Sequence, residues 1–316
     1  MSSWPALVVD LGGTNLRLGL VDGPGAEPRA IVERLCAQVG TLERGIADYL
    51  AQTGTRVSTA ALAVAGPVIG DKVAPSNLDW SISGRELKRT FGFEHLVLIN
   101  DFHAVALAAT ALAPGDLATV GPELPEGKGA RLVIGPGTGL GVAGLIPDGR
   151  RWIAVASEGS QASFAPVDAR EAAIAGILAR QGRVTVERVI SGPGLLAIDH
   201  ALGELDGMPS ARRRPAEVAE AALAGDPRAA LSLDIFFAAL GSAVGDAALT
   251  FCATGGVILA GGILPRLLAP LRASRFRARF EDKAPLAGMM RTIPTQVIVR
   301  PHVGLIGAAT ALCRQP

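Results

Sequence analysis

Two apolar segments of this chain are broken by glycines in the same way, and this pairing constrains the fold more than any other feature. The first, "VVDLGGTNLRLGLV", begins at Val8; the second, "VIGPGTGLGVAGLI", begins at Val133. Each reads as an alternating strand, a glycine-rich break and a second alternating strand. Gly12 aligns with Gly137, and Gly19 with Gly144. A tight hairpin needs only a two-residue turn such as Asn-Gly, yet the first break also carries Asp10, Gly13, Thr14 and Asn15. Two such hairpins, each followed by further strands and helices, predict two related lobes.

The rest of the chain alternates strands with helices, the pattern of an α/β fold. "RAIVERLCAQVGTLERGIADYLAQTG" reads as a strand and an amphipathic helix ending at Gly54. "TAALAVAGPV" is a buried strand entering a Gly-Pro turn, and "HLVLIND" a buried strand that stops on polar residues before the helix "FHAVALAATALA". "AREAAIAGILARQG" and the stretch around Glu217–Leu223 are helical. A long helix is expected over 232–253, then the strand "VILAGG", a helix from Leu264 and a C-terminal helix "GLIGAATALCRQ". "VISGPG" reads as another Gly-Pro turn.

Composition narrows the function classes. The chain has 316 residues, enough for two cores, with 49% apolar and 19% charged residues, which is globular rather than disordered. A net charge of +1 provides no field for nucleic acid or anionic membrane. The basic clusters Arg212–Arg214 and Arg272–Arg279 lack interleaved aromatics and read as solvated helix faces. Cys36, Cys252 and Cys313 are odd in number and widely spaced, as expected of a reduced cytoplasmic protein without a zinc site. A strand follows the N-terminus within a few residues, so no signal peptide is expected. No apolar stretch reads as long and uninterrupted enough to span a bilayer, because Asp246, Gly255 and Gly256 interrupt the region 236–264.

The glycine breaks suit an anion. Without a β-carbon, a glycine N–H can approach a phosphate closely, and successive N–H groups in a turn make a concave anion site. Thr14 adds a hydroxyl, Asn15 an amide, and Asp10 a carboxylate able to hold Mg²⁺ directly or through water. The chain lacks the G-x-x-x-x-G-K-[ST] loop of P-loop NTPases. The match of Gly139, Gly141 and Gly144 to G-x-G-x-x-G continues as a strand rather than opening a helix, so it is no dinucleotide fingerprint. Asn100 and Asp101 end a buried strand, where open α/β sheets present ligands. An isolated Asp there serves as readily as a helix N-cap, and Glu158 and Glu187 taken singly are surface charges. Together with Asn77 in "APSNLDWS", these carboxylates and amides suit a polyhydroxy ligand.

These pieces resemble the bacterial ATP-dependent glucokinase family of the hexokinase/actin-like superfamily. The matching segments are "DLGGTN", "SNLDW", "LINDF", "GPGTGLGVA", "SEG", "FAP", "ERVISGPGL", "ILAGGI" and "FEDKAP", in family order and across nearly the whole chain. The Cys-rich motif of the zinc-containing sugar kinases is missing. No helix-turn-helix segment precedes the first strand, which speaks against a sugar-responsive repressor. The resemblance implies a two-lobed actin-like (ribonuclease H-like) α/β ATPase fold with an interlobe cleft. It implies a small domain of 1–111 plus 302–316 and a large domain of 112–301. It also implies transfer of the ATP γ-phosphoryl group to O6 of glucose in the cytoplasm, by a homodimer. Asp101 would be the general base. Asn77, Asn100, Glu158, Gln161 and Glu187 would join Asp101 in holding the sugar. Val9, Asp10, Leu11, Gly12, Gly13, Thr14 and Asn15, with Gly137, Thr138 and Gly139, would hold ATP phosphates and Mg²⁺, the metal falling to Asp10. Gly261 and Gly262 would line the adenosine pocket.

The chain departs from the family at one loop. The family reads Glu-Gly-Gly-His-x-Asp-Phe where this chain has Glu158-Gly159-Ser160-Gln161-Ala162-Ser163-Phe164. Gln161 replaces the histidine, and Ser163 an acid able to orient it. A lost sugar hydrogen bond costs about 0.5–1.5 kcal/mol. The exchange therefore leaves three readings open: weaker glucose binding or another hexose preference near C1 and C2, a sugar-binding regulator with little turnover, or a neutral replacement in which Gln161 fills the same space. An actin-like filament or chaperone ATPase is the more distant alternative, and the set Asn100, Asp101, Glu158 and Glu187 argues against it.

Overall fold

The computed structural model describes residues 4–75 and 78–314. The chain divides into two α/β units, one of Met1–Pro114, Ala154–Ala156 and Arg300–Pro316, the other of Gly115–Ile153 and Ser157–Val299.

In the first unit a five-stranded sheet has the order β3-β2-β1-β4-β8. Its strands are β1 (Ala6–Leu11), β2 (Asn15–Val21), β3 (Arg29–Leu35), β4 (Thr59–Val64) and β8 (His95–Asn100). The expected hairpin is present as the antiparallel pair β1/β2, while β4 runs parallel to both β1 and β8. Every residue of β1 and β4 is buried, as required of central strands covered on both faces. Alternation sends Leu7, Val9 and Leu11 to one core with Ile46 and Tyr49, and Ala6 and Val8 to another with Leu305 and Ala308. The helix Leu42–Thr53 begins at a Thr41 cap and stops at Gly54, which takes the left-handed φ of 62°. Three short strands, β5 (Val68–Ile69), β6 (Lys72–Val73) and β7 (Ile82–Ser83), form a separate sheet.

The second unit repeats this plan. Its sheet has the order β12-β11-β10-β13-β14-β9. The strands are β9 (Leu117–Thr119), β10 (Arg131–Pro136), β11 (Leu140–Pro147), β12 (Trp152–Ser157, of which Ala154–Ala156 are counted with the first unit), β13 (Gly256–Leu259) and β14 (Thr295–Ile298). Counted from the hairpin, both sheets run third, second, first, fourth, fifth, and β9 adds an antiparallel edge to β14. The echo in the sequence is therefore structural up to the turn. Beyond it, the register slips by one residue. Val8 pairs with Gly19, but Val133 pairs with Ala143 rather than Gly144. The slip arises because four residues separate the closing pair Leu11/Leu16 and three separate Pro136/Leu140.

Three expectations need correction. The long helix spans Pro227–Thr250, starting earlier than expected because Asp226 caps it through the Ala229 N–H and Pro227 suits the first turn. By length and composition this helix could cross a membrane, yet 67% of its apolar window is buried inside the protein. The basic clusters are only partly solvated. Arg279 pairs with the buried Glu171 at 2.8 Å, Arg277 donates to the Ile293 carbonyl at 2.8 Å, and Arg212 bridges buried Asp199 at 3.0 Å and Asp226 at 2.7 Å. Finally, the "SGPG" stretch opens the helix Gly192–Leu205 with Ser191 as its cap rather than making a turn. All three cysteines are free thiols.

Candidate active site

The first glycine turn lies between Leu11 and Asn15, where the Gly12 N–H donates to the Asn15 carbonyl at 3.0 Å and the Cys36 N–H to the Thr14 carbonyl at 2.9 Å. Val9 and Leu11 are core residues. Asp10, between them, faces the other side of the strand and is buried. Register places Arg17 opposite Asp10 and Glu33 opposite Arg17, giving a row of charges across three strands. Arg17 Nη1 donates to Asp10 Oδ2 at 3.0 Å and Nη2 to Glu33 Oε1 at 2.8 Å. Burial raises the pKa of Asp10, against the pull of the Arg17 guanidinium. The helix Val303–Leu312 starts beside this carboxylate. His302 precedes it at a left-handed φ of 56°, with a buried Nδ1 that has no hydrogen-bond partner among the described residues. Arg17, His302 and Gly304 were not singled out from sequence.

Asn100 and Asp101 mark the end of β8 and the start of the helix Asp101–Ala109. The cap is Asn100, whose Oδ1 accepts from the His103 N–H at 3.0 Å and whose Nδ2 donates to the Gly66 carbonyl at 3.1 Å. Asp101 is instead the first helical residue. Its Oδ1 accepts from the Phe102 N–H at 2.8 Å, at the helix end that favours a negative charge. Asn77 lies outside the described residues.

In the second unit, the Gly137 N–H donates to the Gly139 carbonyl at 2.7 Å. A Cβ at Gly137 or Gly262 would meet nothing within 4 Å, so both border open space. Gly261 takes a φ of 86°, and a Cβ there would stand 2.2 Å from the Pro136 carbonyl oxygen. Its missing side chain lets the ends of β10 and β13 converge beside the turn. Gly192 donates its N–H to the Gly137 carbonyl at 2.8 Å and sits against Pro215 and Ile263. Nothing in their local sequence marks Gly192, Pro215 and Ile263 as neighbours of this turn.

The loop that departs from the family pattern forms a single 3₁₀ turn, Gly159–Gln161, entered from Glu158. Glu187 lies on the one-turn helix Val186–Val189, capped by Thr185. Its Oε1 accepts from Gln161 Nε2 at 3.0 Å and its Oε2 from the Leu140 N–H at 2.9 Å. Desolvation, and then the Glu187 carboxylate, raise the pKa of Glu158, so these two carboxylates share a neighbourhood. Ser163 accepts from Arg183 at 3.2 Å. A cavity of ≈ 320 Å³ borders this loop; it is lined mostly by apolar side chains, with the hydroxyls of Ser157, Ser163, Ser242 and Thr250 and with Asp246, which pairs with Lys283 at 2.6 Å, and it contains none of Asn100, Asp101, Glu158, Gln161 and Glu187.

Comparison with known proteins fits this geometry. The profile of the family described as Glucokinase matches residues 7–315. The chain belongs to the glucokinase family. A glucokinase of Caulobacter vibrioides is 45% identical over 315 residues, covering 97% of this chain and 94% of the relative. The crystal structure of a glucokinase from an Antarctic psychrotroph superposes with a TM-score of 0.83 at 32% identity, over 98% of this chain and 99% of that one. A ROK-family glucokinase from Streptomyces griseus, solved with glucose and AMPPNP, shares the fold at a TM-score of 0.68 and 22% identity, over 97% and 98% of the two chains.

The α/β sugar-kinase fold class read from the sequence therefore holds for this glucokinase-family chain, as does its class as a glucose-phosphorylating enzyme. Among the described residues there is no cluster of three metal-ligating side chains. Asp10 is a single buried carboxylate beside the first glycine turn, with Oδ2 held by Arg17 at 3.0 Å, and Mg²⁺ typically uses one or two carboxylates together with substrate phosphates and water.

Proposed function

We propose that the chain transfers the γ-phosphoryl group of ATP to O6 of glucose, with Asp101 as general base. The observation that carries this reading is the Asp101 carboxylate, accepting from the Phe102 N–H in the first turn of a helix that Asn100 caps, in a chain of the glucokinase family. A sugar hydroxyl is a poor nucleophile. Asp101 accepts the O6 proton as the O6–phosphorus bond forms and the bond from phosphorus to the ADP oxygen breaks. The N–H groups of the turns at Gly12–Thr14 and Gly137–Gly139 bind phosphate oxygens, and fixed dipoles of this kind stabilise charge that grows in the transition state. Asp10 would hold Mg²⁺, which neutralises phosphate charge when bound with ATP. Asn77, Asn100, Glu158, Gln161 and Glu187 orient the ring through its hydroxyls, while Gly261 and Gly262 border the nucleoside. Three free thiols suit a reducing cytoplasm.

Gln161 favours one variant of this reading, a preference for a hexose that differs from glucose at C1 or C2. A coupled assay with ATP and Mg²⁺ on glucose, mannose, glucosamine and fructose tests both. ADP formed in equal amount with glucose 6-phosphate, with the highest kcat/KM on glucose, is the expected result. A higher kcat/KM on mannose or glucosamine would establish the variant, and ADP release independent of any sugar would contradict the proposal.

A further inference from the structure

We infer that Glu187 is a positioning residue that ties the sugar loop to the second glycine turn, so that hexose and nucleotide bind cooperatively through it. The inference rests on the glucose–ATP reading above and goes beyond it. A carboxylate offers about four acceptor sites. Glu187 uses one oxygen for the Leu140 N–H, directly after the Gly137–Gly139 turn, and the other for Gln161 on the sugar loop. Both contacts leave lone pairs for a sugar hydroxyl.

The backbone around Glu187 makes the same connection. The Val186 N–H donates to the Ala162 carbonyl at 2.9 Å and the Phe164 N–H to the Val184 carbonyl at 3.0 Å, so the sugar loop and the strand of chain before Glu187 are held together. At the other end of the segment, Gly192 donates to the Gly137 carbonyl at 2.8 Å. Residues 187 and 192 thus hold both ends of the glycine turn. Gly139 is required by this contact rather than by its backbone. It is absent from the positive-φ glycines, yet a Cβ there would stand 2.5 Å from Glu187 Oε2. A hexose that engages Glu187 therefore also fixes the group that holds the Leu140 N–H, so sugar and nucleotide meet through one carboxylate. By linkage the effect is reciprocal.

Titration calorimetry with glucose and AMPPNP tests this. For the wild type, saturating glucose should tighten AMPPNP by about fivefold or more, in the usual range of such coupling. Gly139→Ala adds one methyl that meets only the flexible end of Glu187, so the fold should survive, as circular dichroism would verify. Although it lies in the nucleotide turn, it should raise the glucose Kd several-fold in the absence of nucleotide. Gln161→Ala, on the sugar loop, should reduce the coupling to about twofold or less. An unchanged glucose Kd in Gly139→Ala, or wild-type coupling retained in both variants, overturns the inference while leaving the kinase reading intact. A wild type that binds glucose and AMPPNP independently overturns it as well. A wild type that binds no glucose overturns both.

Discussion

Gly304 lies directly against the carboxyl group of Asp10: a Cβ at position 304 would stand 2.5 Å from Asp10 Cγ and 2.6 Å from Oδ2. The start of the helix Val303–Leu312 is therefore packed onto the acidic residue near the end of β1, just before the first glycine turn. Asp10 has little freedom to yield, being buried and held by Arg17. Gly304→Ala should cost about 1–3 kcal/mol through overpacking. It should raise KM for Mg–ATP more than KM for glucose. Urea unfolding and paired KM measurements check both. An unchanged KM for Mg–ATP would separate Asp10 from nucleotide binding.

Arg17→Met should leave Asp10 buried without its partner. Breaking a buried pair costs about 3–5 kcal/mol, and the low end applies because Arg17 keeps 27% of its side chain exposed. The sign of the pH dependence follows from the raised pKa of Asp10, which burial causes and Arg17 opposes. A raised carboxyl makes the native state bind protons more readily than the unfolded chain. Its contribution to stability therefore falls as pH rises from 3.8 through the folded value. Losing Arg17 raises the folded value further. The variant's deficit should be full at neutral pH and shrink toward acid, where Asp10 is protonated. Denaturation curves at both ends of the range decide this, and a deficit that grows toward acid would contradict it.

Much of this was legible in the chain itself. Central strands announced themselves because β4 is an almost wholly apolar run entering a Gly-Pro turn and β1 an apolar run that meets Asp10 just before Gly12 and Gly13, and the β8-to-helix boundary showed because an apolar run stops on Asn100 and Asp101. What remained hidden was long-range or short. Gly304 and Arg17 gain meaning only beside Asp10, and Gly304 is nearly the whole chain away from it. The strands β9 and β14 are three and four residues long, too short to show a period. The Arg272–Arg279 cluster looked solvated because the buried Glu171 that claims Arg279 lies over 100 residues earlier. The "SGPG" start of a helix is ambiguous in sequence because Gly-Pro usually signals a turn, although a serine two residues before a proline also fits a cap. In the candidate site, Gln161 was visible as a departure, but its bond to Glu187 was not.

Glu158 gives a pH signature in activity. Desolvation and the neighbouring Glu187 charge hold its pKa above the ordinary glutamate value of 4.5. As pH falls it should lose its charge, and with it a strong acceptor for a sugar hydroxyl, earlier than a free glutamate would. The acid limb of kcat/KM for glucose should therefore begin above 4.5. The same raised value costs stability once the group is ionised, so Glu158→Gln should raise the Tm slightly at neutral pH while raising KM for glucose. A pH profile flat down to 4.5, or a lowered Tm, would contradict this.

Asp101→Asn tests the central claim most directly, because it removes the proton acceptor and keeps the shape. With glucose and Mg–ATP in a coupled assay, kcat should fall by about 10²–10⁴, the usual worth of a general base, while glucose still binds by calorimetry. A variant that turns over near the wild-type kcat would contradict the assignment of Asp101.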